Sequence, residues 1–200
     1  MGTYSTGGFT GRLMLGAGDE NGRDTGRVIS PSLTYASGPL MVTGSYTRLA
    51  QCGPDITAAA SPKWQDEATI GGVYDFKVVK LFTGYYLWNP AEENRATTPT
   101  FLKQQAYWFG ARVPVGVPGT VIAQVAKLKQ DRTSGDAEGM SLGITYEHAL
   151  SKRTRVYATA AKMWNDDTAN FGMAAATSAQ AAAGPGADPR VISFGITHIF

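Results

Sequence analysis

Ten segments of strand length recur along this chain, and the links between them alternate between short and long. The segments are 8–17, 27–36, 39–48, 68–76, 79–88, 105–114, 120–129, 139–149, 154–163 and 190–200, rich in Val, Ile, Thr and Tyr and bounded by turn residues. Each is near the ~9–11 residues that carry a tilted strand across a bilayer. Short links at 37–38, 77–78, 115–119 and 150–153 alternate with longer ones at 18–26, 49–67, 89–104, 130–138 and 164–189. The long links contain GDENGRDTG, WNPAEENRATTP and KQDRTSGDAEG, the polar composition of solvated loops. A transmembrane barrel sorts its connections this way, with tight turns at one end and long loops at the other. A soluble sandwich has no reason to.

Alternation within the segments separates two faces. In 139–148, Met140, Leu142, Ile144 and Tyr146 oppose Ser141, Gly143, Thr145 and Glu147. In 68–76, Ile70, Tyr74 and Phe76 oppose Thr69, Gly71, Val73 and Asp75. In 79–88, Val79, Leu81, Tyr85 and Leu87 oppose Lys80, Phe82, Gly84, Tyr86 and Trp88. In 105–114, Tyr107, Phe109, Ala111 and Val113 are set against Gln105, Trp108, Gly110 and Arg112. The first face suits lipid and the second suits water or a polar lumen. A one-sided soluble sheet alternates equally well, so this pattern alone leaves both open. Segments 120–129 and 154–163 do not resolve into two faces, and Pro31 interrupts 27–36, which predicts a bulge or a shifted boundary there.

Composition narrows the function classes. Charged residues are 17% of the chain, below the roughly 25% of soluble domains, and there are 24 glycines and 10% aromatics. No window approaches the ~18–20 apolar residues of a spanning helix. A net charge of +2 without a basic block argues against nucleic acid. The start, MGTYSTGGFT, reads as no signal peptide; one was removed, or the chain begins inside a longer protein. The single cysteine, Cys52, excludes an internal disulfide framework and reads as a free loop thiol. The Ala-rich tract 173–183, ending in Gly184-Pro185-Gly186, reads as loop with a helical turn.

Catalytic chemistry finds little to stand on. The two histidines, His148 and His198, fall at strand ends on the short-turn side, away from any loop carboxylates, so no Ser/His/Asp set assembles. No cluster offers three or four metal ligands; Asp19-Glu20 and Asp166-Asp167 read as solvated loop charge, with weak calcium binding the alternative. The glycines at 7–8, 16–18 and 71–72 lead into no helix and form no phosphate loop. No cofactor is expected. The charges assignable to the polar face are Arg12, Lys80 and Arg112 against Asp75 and Glu147, read either as a slight cationic excess that in a pore favours anions or simply as solvated interior residues. Tyr35, Tyr46, Tyr74, Trp88, Tyr107, Tyr146 and Tyr157 stand near strand ends, as interfacial girdles do in a barrel; in a soluble sheet they would be ordinary packing.

The last residues, VISFGITHIF, place Ile192, Phe194, Ile196, His198 and Phe200 on one face of a strand that closes on an aromatic. This resembles the terminal strand of bacterial outer-membrane proteins, which implies that Phe194, Ile196, His198 and Phe200 form the signal read by the barrel-assembly machinery. The hairpin HALSKRT with Val156-Tyr157 after it resembles the penultimate periplasmic turn of general diffusion porins, and the closing HIF is most like porins of β-proteobacteria. The resemblance extends weakly over GFTGRLMLGAG and YASGPLMVTGSY and strongly over 139–200. It implies an all-β, antiparallel transmembrane barrel of about sixteen strands, of which this chain supplies the last ten. It implies also a homotrimer in the outer membrane, in contact with bilayer and lipopolysaccharide, passing small hydrophilic solutes without catalysis. Such porins are far longer, so the chain is expected to be the C-terminal part of one porin domain. The alternatives are a complete ten-stranded barrel, structural or omptin-like, and a soluble β-sandwich that binds ligands.

Overall fold

In the computed structural model of the chain, residues 1–18, 26–51, 63–90, 101–175, 178–180 and 183–199 are described. Every regular element among them is a strand, so no helix long and apolar enough to cross a membrane is found there. Eleven strands form one sheet in the order β1-β2-β3-β4-β5-β6-β7-β8-β9-β10-β13, each beside its neighbour in sequence except for the last step. They are β1 (Gly2–Thr6), β2 (Phe9–Gly16), β3 (Val28–Ser37), β4 (Leu40–Gln51), β5 (Lys63–Asp75), β6 (Lys80–Asn89), β7 (Phe101–Pro114), β8 (Gly119–Arg132), β9 (Ala137–Ala149), β10 (Thr154–Asn165) and β13 (Arg190–His198). Two three-residue strands, β11 (Met173–Ala175) and β12 (Ser178–Gln180), pair with each other inside the long link before β13. Where a helical turn was expected, Met173–Ala175 and Ser178–Gln180 of the Ala-rich tract therefore lie in two short paired strands.

Backbone contacts group the chain into two units: residues 1–72, 84–106 and 130–135, and residues 73–83, 107–129 and 136–200. In the first unit, β1 is a strand that the periodicity missed, because GTYST offers no apolar alternation. It pairs antiparallel with β2 through a two-residue turn in which Gly7 and Gly8 both have positive φ, 53° and 86°. Such a turn matches the natural twist of a hairpin. At Gly8 the fold also admits no side chain, since a Cβ would stand 2.7 Å from the Ala36 carbonyl oxygen. Pro31 makes no bulge. Partner numbers between β3 and β4 keep one register from Val28↔Leu49 through Ser32↔Ser45 to Ser37↔Leu40, and Pro31 itself faces Leu13 of β2.

In the second unit, β9, β10 and β13 run in continuous register, Ile144↔Ala160↔Ile192 and Glu147↔Tyr157↔Gly195 among the rows. The link between β8 and β9 shrinks to residues 133–136, because both strands extend past their expected ends into the polar sequence. Tight turns close the other ends: the Val115 N–H donates to the Gly119 carbonyl at 3.0 Å, and the Leu150 N–H to that of Thr154 at 2.9 Å.

Hydrophobic side chains of the described residues do not collect into a core. Among the described residues the buried apolar ones are Ala50, Ala137, Met163 and Ala169, and no large side chain is fully buried. In β13, by contrast, Ile192, Phe194 and Ile196 are 72%, 79% and 66% exposed, while Val191, Ser193, Gly195 and Thr197 between them are half-buried. β9 repeats the pattern, with Met140, Leu142, Ile144 and Tyr146 exposed and Ser141, Gly143, Thr145 and Glu147 less so. Soluble monomers rarely leave apolar patches above a few hundred Å² in water. This face is built for lipid, and the soluble sandwich, which needs its apolar faces stacked together, is set aside.

Candidate functional site

Opposite the apolar face, each unit presents a polar one whose groups satisfy each other across strands. In the first unit, hydroxyl pairs bridge Ser5 and Thr10 at 3.0 Å, Ser30 and Thr47 at 2.8 Å, and Thr34 and Thr43 at 2.9 Å. Arg12 stands on this face between Thr3 and Ser32. In the second unit Thr145 and Thr159 make the same kind of bridge at 2.8 Å. Hydroxyls can donate and accept in either sense, so such ladders tolerate water on one side without leaving buried orphans.

The expected polar-face charges of the second unit fall into two groups. Lys80 and Asp75 flank the β5–β6 turn as an ion pair of 3.0 Å. Arg112 of β7 donates to Glu147 of β9 at 2.9 Å. The sequence reading missed a third member: Arg155 of β10 reaches the other Glu147 oxygen at 3.8 Å. Its strand did not resolve because alanines occupy both faces, Ala158 and Ala160 on one and Ala161 on the other. The Glu147 side chain is 17% exposed, between two guanidiniums. Arg112, Glu147 and Arg155 share a hollow of about 210 Å³ with Lys152 and Arg153 of the adjoining turn.

Several aromatic positions need correction. Gln105 has the parity of Tyr107, not of Trp108, and its amide donates to the Tyr85 hydroxyl at 2.8 Å. Tyr157, expected in a girdle, pairs in register with Glu147 and Gly195 on the polar face, its ring lying where a Gly195 Cβ would be. Phe82 covers Gly110 in the same manner. Trp88 shares the polar parity of Phe82 in β6. The apolar face keeps Tyr35 tilted against Phe9 with centroids 4.6 Å apart, and Tyr46, Tyr74, Tyr107 and Tyr146 exposed. It gains two tryptophans near the long-link ends. Arg48 lies 5.0 Å over the Trp64 ring and pairs with Asp66, and Lys162 lies 4.8 Å over Trp164. Aromatic rings capped by cations suit the level where acyl chains meet headgroups.

The long link after β10 is held down by three polar side chains. The Asp166 carboxylate accepts from the backbone N–H groups of Glu138 (2.7 Å), Thr168 (3.0 Å) and Ala169 (2.6 Å) and from the Thr168 hydroxyl (2.9 Å). The Asn165 amide donates to the carbonyls of Phe171 and Ala187, and Asp188 accepts from the Asn165 N–H at 3.0 Å. Burial acts to raise the Asp166 carboxyl, but these donors outweigh it and hold it below its ordinary value. The Asn165 N–H, with Lys162 behind it, does the same for Asp188. Asp166 is thus a structural ligand of the loop rather than free solvated charge.

Both histidines lie on the apolar face near the short turns. The Tyr146 hydroxyl meets His148 Nδ1 at 3.0 Å, and the Thr154 hydroxyl meets His198 Nδ1 at 2.8 Å. Among the described residues no His/Cys/Asp/Glu group could hold a metal ion. Cys52, Asp19, Glu20 and Phe200 lie outside the described residues.

Comparison with known proteins decides what this two-faced sheet is. The profile of the Gram-negative porin family matches residues 1–168. The chain belongs to that family. This porin is 30% identical over 192 residues to outer membrane porin protein 32 of Delftia acidovorans, covering 96% of the chain and 50% of that protein. It is 29% identical over 157 residues to an outer membrane porin protein of Bordetella pertussis, covering 68% of the chain and 40% of that protein. It superposes on the anion-selective porin from Comamonas acidovorans with a TM-score of 0.77 at 26% identity, over 98% of the chain and 57% of that structure. OmpT, an outer membrane protein of Vibrio cholerae, shares the fold at 13% identity with a TM-score of 0.72, over 98% of the chain and 62% of that structure. The porin therefore has the porin fold and an outer-membrane location, and it spans half or less of the length of the curated relatives it matches.

Proposed function

We propose that this chain forms part of the wall of a water-filled outer-membrane channel through which ions and small hydrophilic solutes diffuse passively. The observation that carries the reading is the inverted sheet: large apolar side chains exposed on one face, hydroxyls and charges on the other, and no hydrophobic core among the described residues. With lipid outside and water inside, both faces are solvated and every paired backbone group is satisfied within the sheet. β1 and β13 end the strand order, and in lipid their free edges require partner strands. We read the chain as one porin domain completed by further strands into a closed barrel of about sixteen.

Arg12, Lys80, Asp75, Arg112, Glu147 and the newly found Arg155 are read as pore-lining, with a cationic excess that favours anions. The relative described as anion-selective supports that preference. The protein is read as non-enzymatic, because both histidines sit on the lipid face beside hydroxyls. Homotrimer formation, contact with lipopolysaccharide, and recognition of Phe194, Ile196, His198 and Phe200 by the barrel-assembly machinery belong to the same proposal. The outward row of Ile192, Phe194 and Ile196 suits such recognition. Planar-bilayer recording of the protein from outer membranes is expected to give stepwise ohmic openings with a reversal potential on the anion side. Arg112→Gln with Arg155→Gln moves that potential toward the cation side. An unmoved potential in this double variant would remove these arginines from the selectivity argument.

A further inference from the structure

We propose that the short-turn mouth of the polar face holds a docking site for small polyvalent anions, with inorganic phosphate the simplest member of the class. The proposal rests on the porin reading and adds to it a ligand class, a location and a sidedness. The hollow of about 210 Å³ beside the β9–β10 turn is lined by Arg112, Lys152, Arg153 and Arg155 and by one carboxylate, that of Glu147. One negative charge cannot neutralise four positive ones. Glu147 is already engaged by Arg112 at 2.9 Å, whereas Arg155 stands off at 3.8 Å, which leaves the Arg155 guanidinium in only a loose ion pair.

The frame is fixed before any anion arrives. The Ser151 Oγ accepts from the N–H groups of Arg153 (3.1 Å) and Thr154 (3.0 Å), which sets the turn that carries Lys152 and Arg153. The Arg153 carbonyl accepts from Ile199 N–H at 2.9 Å, which ties that turn to the end of β13. A preset frame lowers the ordering cost of binding. Guanidiniums match phosphate and carboxylate oxygens with paired N–H donors, and a polyvalent anion can engage two of these cations where chloride engages one. The site lies at the short-turn end of its strands, so an anion arriving from that side meets it first. Docked there, the anion holds the mouth and slows chloride passage.

The test uses the protein from outer membranes in planar bilayers, with phosphate added to one compartment at a time during chloride current. Phosphate is expected to reduce the current more from one side than from the other. Arg153→Gln with Arg155→Gln is expected to weaken that block about tenfold or more, the loss of charge-assisted contacts. Glu147→Gln is expected to strengthen it, because it removes the competing carboxylate, and a merely structural role for Glu147 would weaken it instead. Lys127→Gln, a cation on the apolar face that pairs with Glu138, leaves the block unchanged. Channels with equal phosphate block from both sides, or with none, overturn the site while the porin reading stands. A protein that never conducts overturns both.

Discussion

Single residues of this sheet are constrained by what lies across the strand from them. A Cβ at Gly110 would enter the Phe82 ring and stand 2.7 Å from the Ala123 carbonyl oxygen. Gly110→Val is therefore expected to cost about 1–3 kcal/mol by overpacking, read as a lower urea midpoint of the micelle-refolded protein, and Phe82→Ala in the same chain restores part of it. Asp166 and Asp188 have carboxyls held below their ordinary values. Groups of that kind stabilise the closed loop above the unfolded carboxylate value of about 3.9, and the stabilisation drains as pH falls through the lower folded values. Amide exchange at Ala169 and Gly186, corrected for intrinsic rates, is expected to stay flat from neutrality to about pH 5 and to rise below about pH 4. Asp166→Ala abolishes most of that dependence at a cost on the order of 1 kcal/mol, small because the site is solvent-screened. The Asp166 network was only partly legible in sequence: three of its donors, the Thr168 N–H and hydroxyl and the Ala169 N–H, are local, but the fourth, the Glu138 N–H, arrives only when β9 and β10 are in register. Tyr157 was misassigned for a related reason: the cross-strand glycine that receives its ring lies thirty-eight positions on, at Gly195.

Whole strands were legible where one face is uniformly apolar. β9 and β13 were read residue by residue because Met140, Leu142, Ile144 and Tyr146, and Ile192, Phe194 and Ile196, leave no ambiguity of parity. β8 and β10 were not. Alanines on both faces of β10, and lysines at the loop end of β8 that reach Glu138 and Asp136, erase the contrast that periodicity needs. β1 escaped because it has no apolar period, although the Gly7-Gly8 pair that turns it into β2 is a hairpin signal in its own right. The face assignment carries a direct consequence. Ile144→Lys on the apolar face is expected to cost about 2–4 kcal/mol in lipid vesicles, the penalty of a cation at the bilayer midplane. Thr145→Lys, one residue away on the polar face, is expected to cost much less and to shift ion selectivity toward anions.

At the scale of the molecule, loop sorting, two-residue alternation and the lack of a buried core among the described residues amount to one arrangement. Backbone pairing is satisfied inside the sheet, hydrocarbon takes one face and water the other. The length-sorted links and the terminal strand made that arrangement readable without coordinates, and the family match over residues 1–168 agrees with it. Arg155 and the basic turn beside it were not readable, because their meaning depends on Glu147, a carboxylate across the hairpin that only the strand register brings alongside. The most direct test is a cysteine scan of positions 140–147 with Cys52 replaced by serine, in reconstituted vesicles, using a membrane-impermeant thiol reagent and following conductance. The account predicts a period of two, with 141, 143, 145 and 147 reacting and losing conductance while 140, 142, 144 and 146 are shielded. Uniform reactivity, or conductance lost only from the even positions, would contradict it.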